Sequence, residues 1–128
     1  MAKGHSRRQE VTGLRRGDVY LVSFDPTIGH EIKKTRPALV IQNDVGNRYG
    51  ALTIVAAITS TFPSVPHPVV VVLGAGKSNG LSVTSAIRLD QIRTVDRQRL
   101  VKRLGAVDLG TMRRVDEALS ISVGLVDL

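Results

Sequence analysis

The segment SAIRLDQIRTVD holds Arg88, Asp90 and Gln91, residues whose types and spacing can do chemistry. In AIRLDQI, aliphatic and polar residues alternate with period two. This predicts a half-buried strand with Ile87 and Leu89 turned inward and Arg88 and Asp90 together on the other face. A guanidinium offers an anion a planar fork of donors, and a carboxylate accepts protons. Two other places carry groups of this kind. The loop DPTIGHEIKKT holds His30, Glu31, Lys33 and Lys34, with Arg36 at its base, and the run TIVAAITS ends in Thr59 and Ser60. Taken singly, each has an ordinary reading: a solvated loop histidine, a threonine that suits a strand, a same-face ion pair worth less than about 1 kcal/mol. Taken together they are a set able to hold an anion and move a proton.

Other chemistries are excluded or unsupported. The chain has no cysteine, which removes disulfides, zinc–thiolate sites and a thiol nucleophile. Its histidines, His5, His30 and His67, show no ligand spacing and no carboxylate cluster, so no metal site and no cofactor are expected. No GxSxG elbow marks a serine hydrolase. GAGKSNG has its glycines and lysine in the wrong order for a phosphate loop and reads as a hairpin turn. Eighteen Lys and Arg against eleven Asp and Glu give a net charge of +7, the balance of a protein that meets a polyanion. No apolar run is long enough to cross a bilayer and the first residues contain no hydrophobic signal core, so a soluble, cytoplasmic protein without membrane contact is expected.

These groups need a scaffold to position them, and 128 residues with 42% hydrophobic content suffice for one domain with a real core. Residues 1–14 read as a flexible basic tail and residues 15–128 as the domain. Strands are predicted at DVYLVSF, RPALVIQ, LTIVAAITS, HPVVVVLG, around AIRLDQI and at VKRLGAV, with one helical turn in NDVGNRYG. After Asp108, a natural N-cap, apolar residues recur at Met112, Val115, Leu119 and Val123, which predicts an amphipathic C-terminal helix. Arg113 and Glu117 sit at ion-pair spacing on its other side. Short strands followed by one packed helix indicate an α+β protein, a small twisted sheet or open barrel.

Four separated blocks, RRGDVYLVSFDPTIGHEIKKTRPALVIQND, TIVAAITS, LDQIRTVD and VDEALSISVGL, resemble the MazF/PemK/Kid family of toxin endoribonucleases from bacterial toxin–antitoxin systems. They occur in that family's order from about Arg15 onward. GNRY and AAIT are most similar to the MazF toxins, whereas RLDQ, with Arg88 where many MazF proteins have an aliphatic residue, looks more like Kid and PemK.

The resemblance implies an SH3-like open β-barrel with a C-terminal helix, paired as a homodimer whose concave interface binds single-stranded RNA. It implies metal-free cleavage, in which the ribose 2′-hydroxyl attacks the adjacent phosphorus and leaves a cyclic phosphate and a free 5′-hydroxyl. It also implies a cognate acidic antitoxin as partner. The family's motif positions fall on Arg36 and Thr59 and, in the Kid-like version, on His30, Arg88 and Asp90. Ser60 and Gln91 would line the groove, and Glu31, Lys33 and Lys34 would meet RNA from the loop. Arginine can hold the phosphoryl oxygens and Thr59 can add a donor, while Asp90 or His30 can take the 2′-hydroxyl proton. The same fold also serves non-catalytic toxins of the CcdB type, which poison DNA gyrase through an aromatic near the C-terminus. This chain ends SVGLVDL and has no tryptophan. A catalytically inactive RNA-binding module is the other alternative.

Overall fold

The computed structural model describes residues 13–24 and 35–127. Most of the tail, and loop residues 25–34 with His30, Glu31, Lys33 and Lys34, lie outside the described residues. The strands are β1 (Asp18–Ser23), β2 (Thr35–Val40), β3 (Leu52–Thr59), β4 (Val70–Leu73), β5 (Ser85–Asp96) and β6 (Leu100–Ala106). A short helix α1 (Asp44–Tyr49) precedes β3, and helix α2 (Leu109–Ser122) follows β6. The strands form one antiparallel sheet in the order β4-β5-β3-β2-β1-β6.

Alternation along the strands builds two cores, one on each face of the sheet. Val19, Leu39, Ala56, Ile58, Ile87 and Leu89 point to one side and pack with Met112, Val115 and Ala118 of α2. Tyr20, Val22, Ala38, Val40 and Val55 point to the other side and pack with Val95 and Leu100, joined by Leu14. Leu14, assigned to the tail from the sequence, is therefore part of the packed domain. In β3, Val55 and Ala56 are both fully buried, one in each core, as its apolar run predicts.

Helix α2 is capped by the Asp108 carboxylate, which accepts the Thr111 N–H at 2.7 Å. Its buried stripe differs at the end from the predicted one. Ala118 is buried and Leu119 half-buried, whereas Val123 is the C-cap residue and 51% exposed, because the helix stops at Ser122 before another turn can carry it inward. Arg113 and Glu117 form no ion pair; Asp116 instead takes Arg16 at 2.8 Å. Arg16 also donates its backbone N–H to Asp44 and its Nε to the Ile41 carbonyl, both at 2.7 Å, so it ties the entry to β1 to both helices and to the end of β2.

The edge strands β4 and β6 do not pair, and the connection from β4 to β5 fills the opening between them. The Ala106 N–H donates to the Ser78 carbonyl at 2.9 Å. Two glycines make the approach possible. A Cβ on Gly105 would stand 2.3 Å from the Ser78 oxygen, and one on Gly80, at φ +74°, would stand 2.2 Å from the Leu104 oxygen. GAGKSNG thus lies in a β-hairpin connection, as predicted, and also serves as the seam that makes an open sheet barrel-like. Gly105→Ala should lower stability by about 1–3 kcal/mol, since the seam must open to admit the methyl group. Urea unfolding of the variant beside the parent checks this, and an unchanged midpoint would show the seam to be loose.

Candidate functional site

Of the side chains singled out from the sequence, Arg36, Thr59 and Arg88 lie on the sheet face away from α2. Pairing of Ala38 with Ala57 and of Val22 with Arg36 sets the register, which when extended by two residues brings Arg36 opposite Thr59. Because directly paired residues and residues two apart share a face, Arg36, Thr59 and Arg88, the partner of Ala57, all project on the side of Ala38. They line a groove of about 460 Å³ together with Thr61, Gln91, Arg93 and Phe24. An adjoining recess of about 390 Å³ shares Arg36, Thr59 and Thr61 and adds Ser60, Ser82 and Ser85, so its wall is rich in hydroxyls.

Within this groove the arginines are not equivalent. Arg88 is clamped by Asp90 in a two-pronged pair, with Nε to Oδ1 at 3.0 Å and Nη2 to Oδ2 at 2.8 Å. Hydrogen bonding from Arg88 holds the Asp90 carboxyl below the usual carboxylate range, and Asp90 in turn raises the arginine. Both side chains remain partly open to solvent, at 25% and 36% exposure, so the pair orients more than it stabilises. Asp90 does not itself line the groove. Arg36, by contrast, is exposed and has no hydrogen bond or ion pair among the described residues. Thr59 Oγ1 donates to the Thr61 carbonyl at 3.2 Å and accepts the Thr61 N–H at 3.1 Å, a local turn that fixes the hydroxyl at the mouth of the groove.

Arg93 and Phe24 are among the lining residues absent from the sequence-derived set. The Arg93 guanidinium stands 5.1 Å above the centre of the Phe24 ring, and both line the groove. Strict alternation assigns Arg88 and Arg93, five residues apart, to opposite faces. They share a face because β5 breaks register: Arg88 pairs with Ala57 but Ile92 pairs with Ala56, so Leu89, Asp90 and Gln91 have no partners on β3. Three extra residues invert the parity of everything after them. No local sequence signal announces such a bulge.

The groove therefore brings together Arg36, Thr59, Arg88 and Gln91, places Ser60 in the adjoining recess, and reaches Asp90 through Arg88. Its described lining has three arginines and no carboxylate, which makes it a site for an anion. Among the described residues no three His, Asp or Glu side chains gather as metal ligands would.

Comparison with known proteins agrees with this arrangement. Residues 15–123 match the family model of the PemK-like, MazF-like toxins of type II toxin–antitoxin systems. Endoribonuclease EndoA of Bacillus subtilis (strain 168) is 46% identical over 114 residues, covering 89% of this chain and 97% of that protein. Among solved structures, a MazE–MazF complex from Deinococcus radiodurans superposes with a TM-score of 0.73 at 26% identity, covering 88% of this chain and 97% of the other. An endoribonuclease in complex with its cognate antitoxin from Mycobacterial species gives 0.71 at 26% identity, covering 90% and 99%. With a family match across most of its length, an EndoA-like sequence and a fold shared with MazF, the chain belongs to the PemK-like, MazF-like toxins of type II toxin–antitoxin systems.

Proposed function

We propose that this toxin is an endoribonuclease that cuts single-stranded RNA without a metal ion, with the scissile phosphate seated between Arg36 and Thr59. The observation that carries the reading is a groove whose described lining brings together three arginines and the Thr59 hydroxyl with no carboxylate among them, in a chain closely similar to an endoribonuclease. In the reaction the 2′-oxygen bonds to the adjacent phosphorus, the bond to the 5′-oxygen breaks, and a 2′,3′-cyclic phosphate and a 5′-hydroxyl result. Charge grows on the non-bridging oxygens, where Arg36, without a partner among the described residues, is able to donate two hydrogen bonds. Thr59 supplies a further donor by rotating its hydroxyl proton away from the Thr61 carbonyl. DNA lacks the attacking group and is not cut.

Asp90 is a poor choice for the base. Its carboxyl is held low by Arg88, and its two oxygens are occupied there. Asp90 is better cast as the group that aims Arg88. Proton removal then falls to the loop of residues 25–34, with His30 as its natural acceptor and Lys33 and Lys34 as phosphate contacts. The same cationic groove suits the acidic segment of a cognate antitoxin, and relatives have been solved with theirs. A homodimer acting on mRNA in the cytoplasm completes the reading.

Cleavage of single-stranded RNA should persist in EDTA, and Arg36→Ala and Thr59→Ala should each slow it by about a hundredfold with the fold intact, the scale of one lost transition-state donor. Loss of activity in EDTA that magnesium restores, or full activity in both variants, would place the chemistry elsewhere.

The pH dependence separates the two candidate bases. With His30 as base, the single-turnover rate should rise with pH through the ordinary imidazole value of about 6.5, and His30→Asn should remove that rise. With Asp90 as base, the rate would already be flat from about pH 5 upward, because a depressed carboxylate is deprotonated throughout that range.

A further inference from the structure

We propose that Arg93, backed by the Phe24 ring, is a stacking platform for one unpaired nucleobase beside the cleaved phosphate. The proposal rests on the ribonuclease reading above and adds to it a base-binding subsite. Single-stranded RNA exposes flat apolar faces, and proteins take them up on aromatic rings or on guanidinium planes. This chain has few rings to offer. Tyr20 is buried, at 4% exposure, and neither Tyr49 nor Phe62 lines the groove, so Phe24 is the aromatic available there. One side of Phe24 packs against the Tyr20 and Val22 core, and Arg93 covers the ring.

Arg93 need not be exposed merely to shield that core. It is nevertheless solvent-exposed, and among the described residues it has no hydrogen bond or ion pair, unlike Arg88. With the ring 5.1 Å beneath it and no hydrogen-bond or ion-pair partner among the described residues, the guanidinium is available to a second π system, so a base landing there completes a base–guanidinium–phenyl stack. Gln91 lines the same groove with one amide donor group and one acceptor and is suited to a base edge, whereas Arg36 and Thr59 line it on the phosphate side. Platform and phosphate donors share one cavity, so the stacked base belongs to a nucleotide at the cut bond.

The test uses the full chain and an RNA oligonucleotide whose cut site has been mapped with the wild type, made uncleavable by removing the 2′-hydroxyl at that site. Abasic nucleotides are then walked along it one position at a time. Arg93→Lys keeps the charge and loses the plane, and should weaken binding about tenfold, the scale of one base–aromatic stack. At one position next to the cut bond, the abasic change should cost the wild type a similar factor and cost Arg93→Lys nothing further. 2-Aminopurine at that position should be quenched on binding the wild type and not on binding the variant. Phe24→Leu should behave likewise, and if it unfolds the Arg93→Lys cycle still decides. Wild-type affinity in Arg93→Lys, or abasic losses that add to the variant's at every position, would overturn the platform while leaving the ribonuclease reading intact. RNA left uncut by the wild type would overturn both.

Discussion

The structure turns on the break in β5. Strand β5 is twelve residues long, pairs with β3 on both sides of an interruption and with β4 over its first third, and does not stay in one register as the sheet curls. The register shifts at Leu89–Gln91, which oppose nothing on β3. Three elements are fastened at that point. The Leu89 N–H donates to the Val69 carbonyl at the start of β4 at 2.9 Å, and the Leu89 carbonyl accepts the Ser122 hydroxyl at the end of α2 at 2.6 Å. Its side chain is fully buried in the core beneath α2. The next two residues, Asp90 and Gln91, are pushed out beside Arg88. The interruption that joins β4 to the end of the helix is thus also what assembles one wall of the groove.

The same break explains why the groove has arginines of different character. Before it, Arg88 lies two residues from Asp90 and is captured by it; after it, Arg93 returns to the same face beyond the reach of that carboxylate and settles on Phe24. Arg36 arrives from β2, where its neighbours across the sheet are Val22 and Thr59 and no acid lines the groove among the described residues. In the proposed reaction a phosphate would compete with Asp90 for Arg88 but meets no rival for Arg36 among the described residues. A guanidinium already in a fork with a carboxylate is held still and partly neutralised, which suits orientation. An unpaired one keeps its donors for charge that develops later.

Much of this was legible in the sequence because it follows from local periodicity. Alternation in β1, β2 and β3, the Asp108 cap and the apolar stripe of α2 are short-range patterns, and they place Ile87 and Leu89 inside and Arg88 and Asp90 outside, as found. The four matching blocks singled out Arg36, Thr59, Arg88 and Gln91, which the fold does bring to one groove. Arg93 escaped because its face depends on a bulge, and a bulge is set by how the sheet must curl around two cores, a property of the whole chain. The glycine seam escaped for a similar reason. Nothing in GAGKSNG reveals that its backbone will meet the backbone at Gly105, since the two are contiguous only after β4 and β6 have been brought to opposite edges of one sheet.

That seam bears on the chemistry as well as on stability. Gly80 and Leu81 line the hydroxyl-rich recess on one side of Thr59, so the wall there is fixed to β6 through the Ser78 carbonyl and moves with the barrel. On the other side the wall is β5, fixed by its break to β4 and α2. Arg36 and Thr59 therefore sit on paired strands between two anchored walls, which in the proposed reaction keeps their backbone positions fixed while only the Thr59 hydroxyl proton turns. Proton transfer has looser needs, since a base must reach its hydrogen-bonding distance only once the substrate is in place. For the proposed reaction, electrostatic donors on a paired sheet, with the base supplied from the segment between β1 and β2, is the division of labour that these two requirements favour.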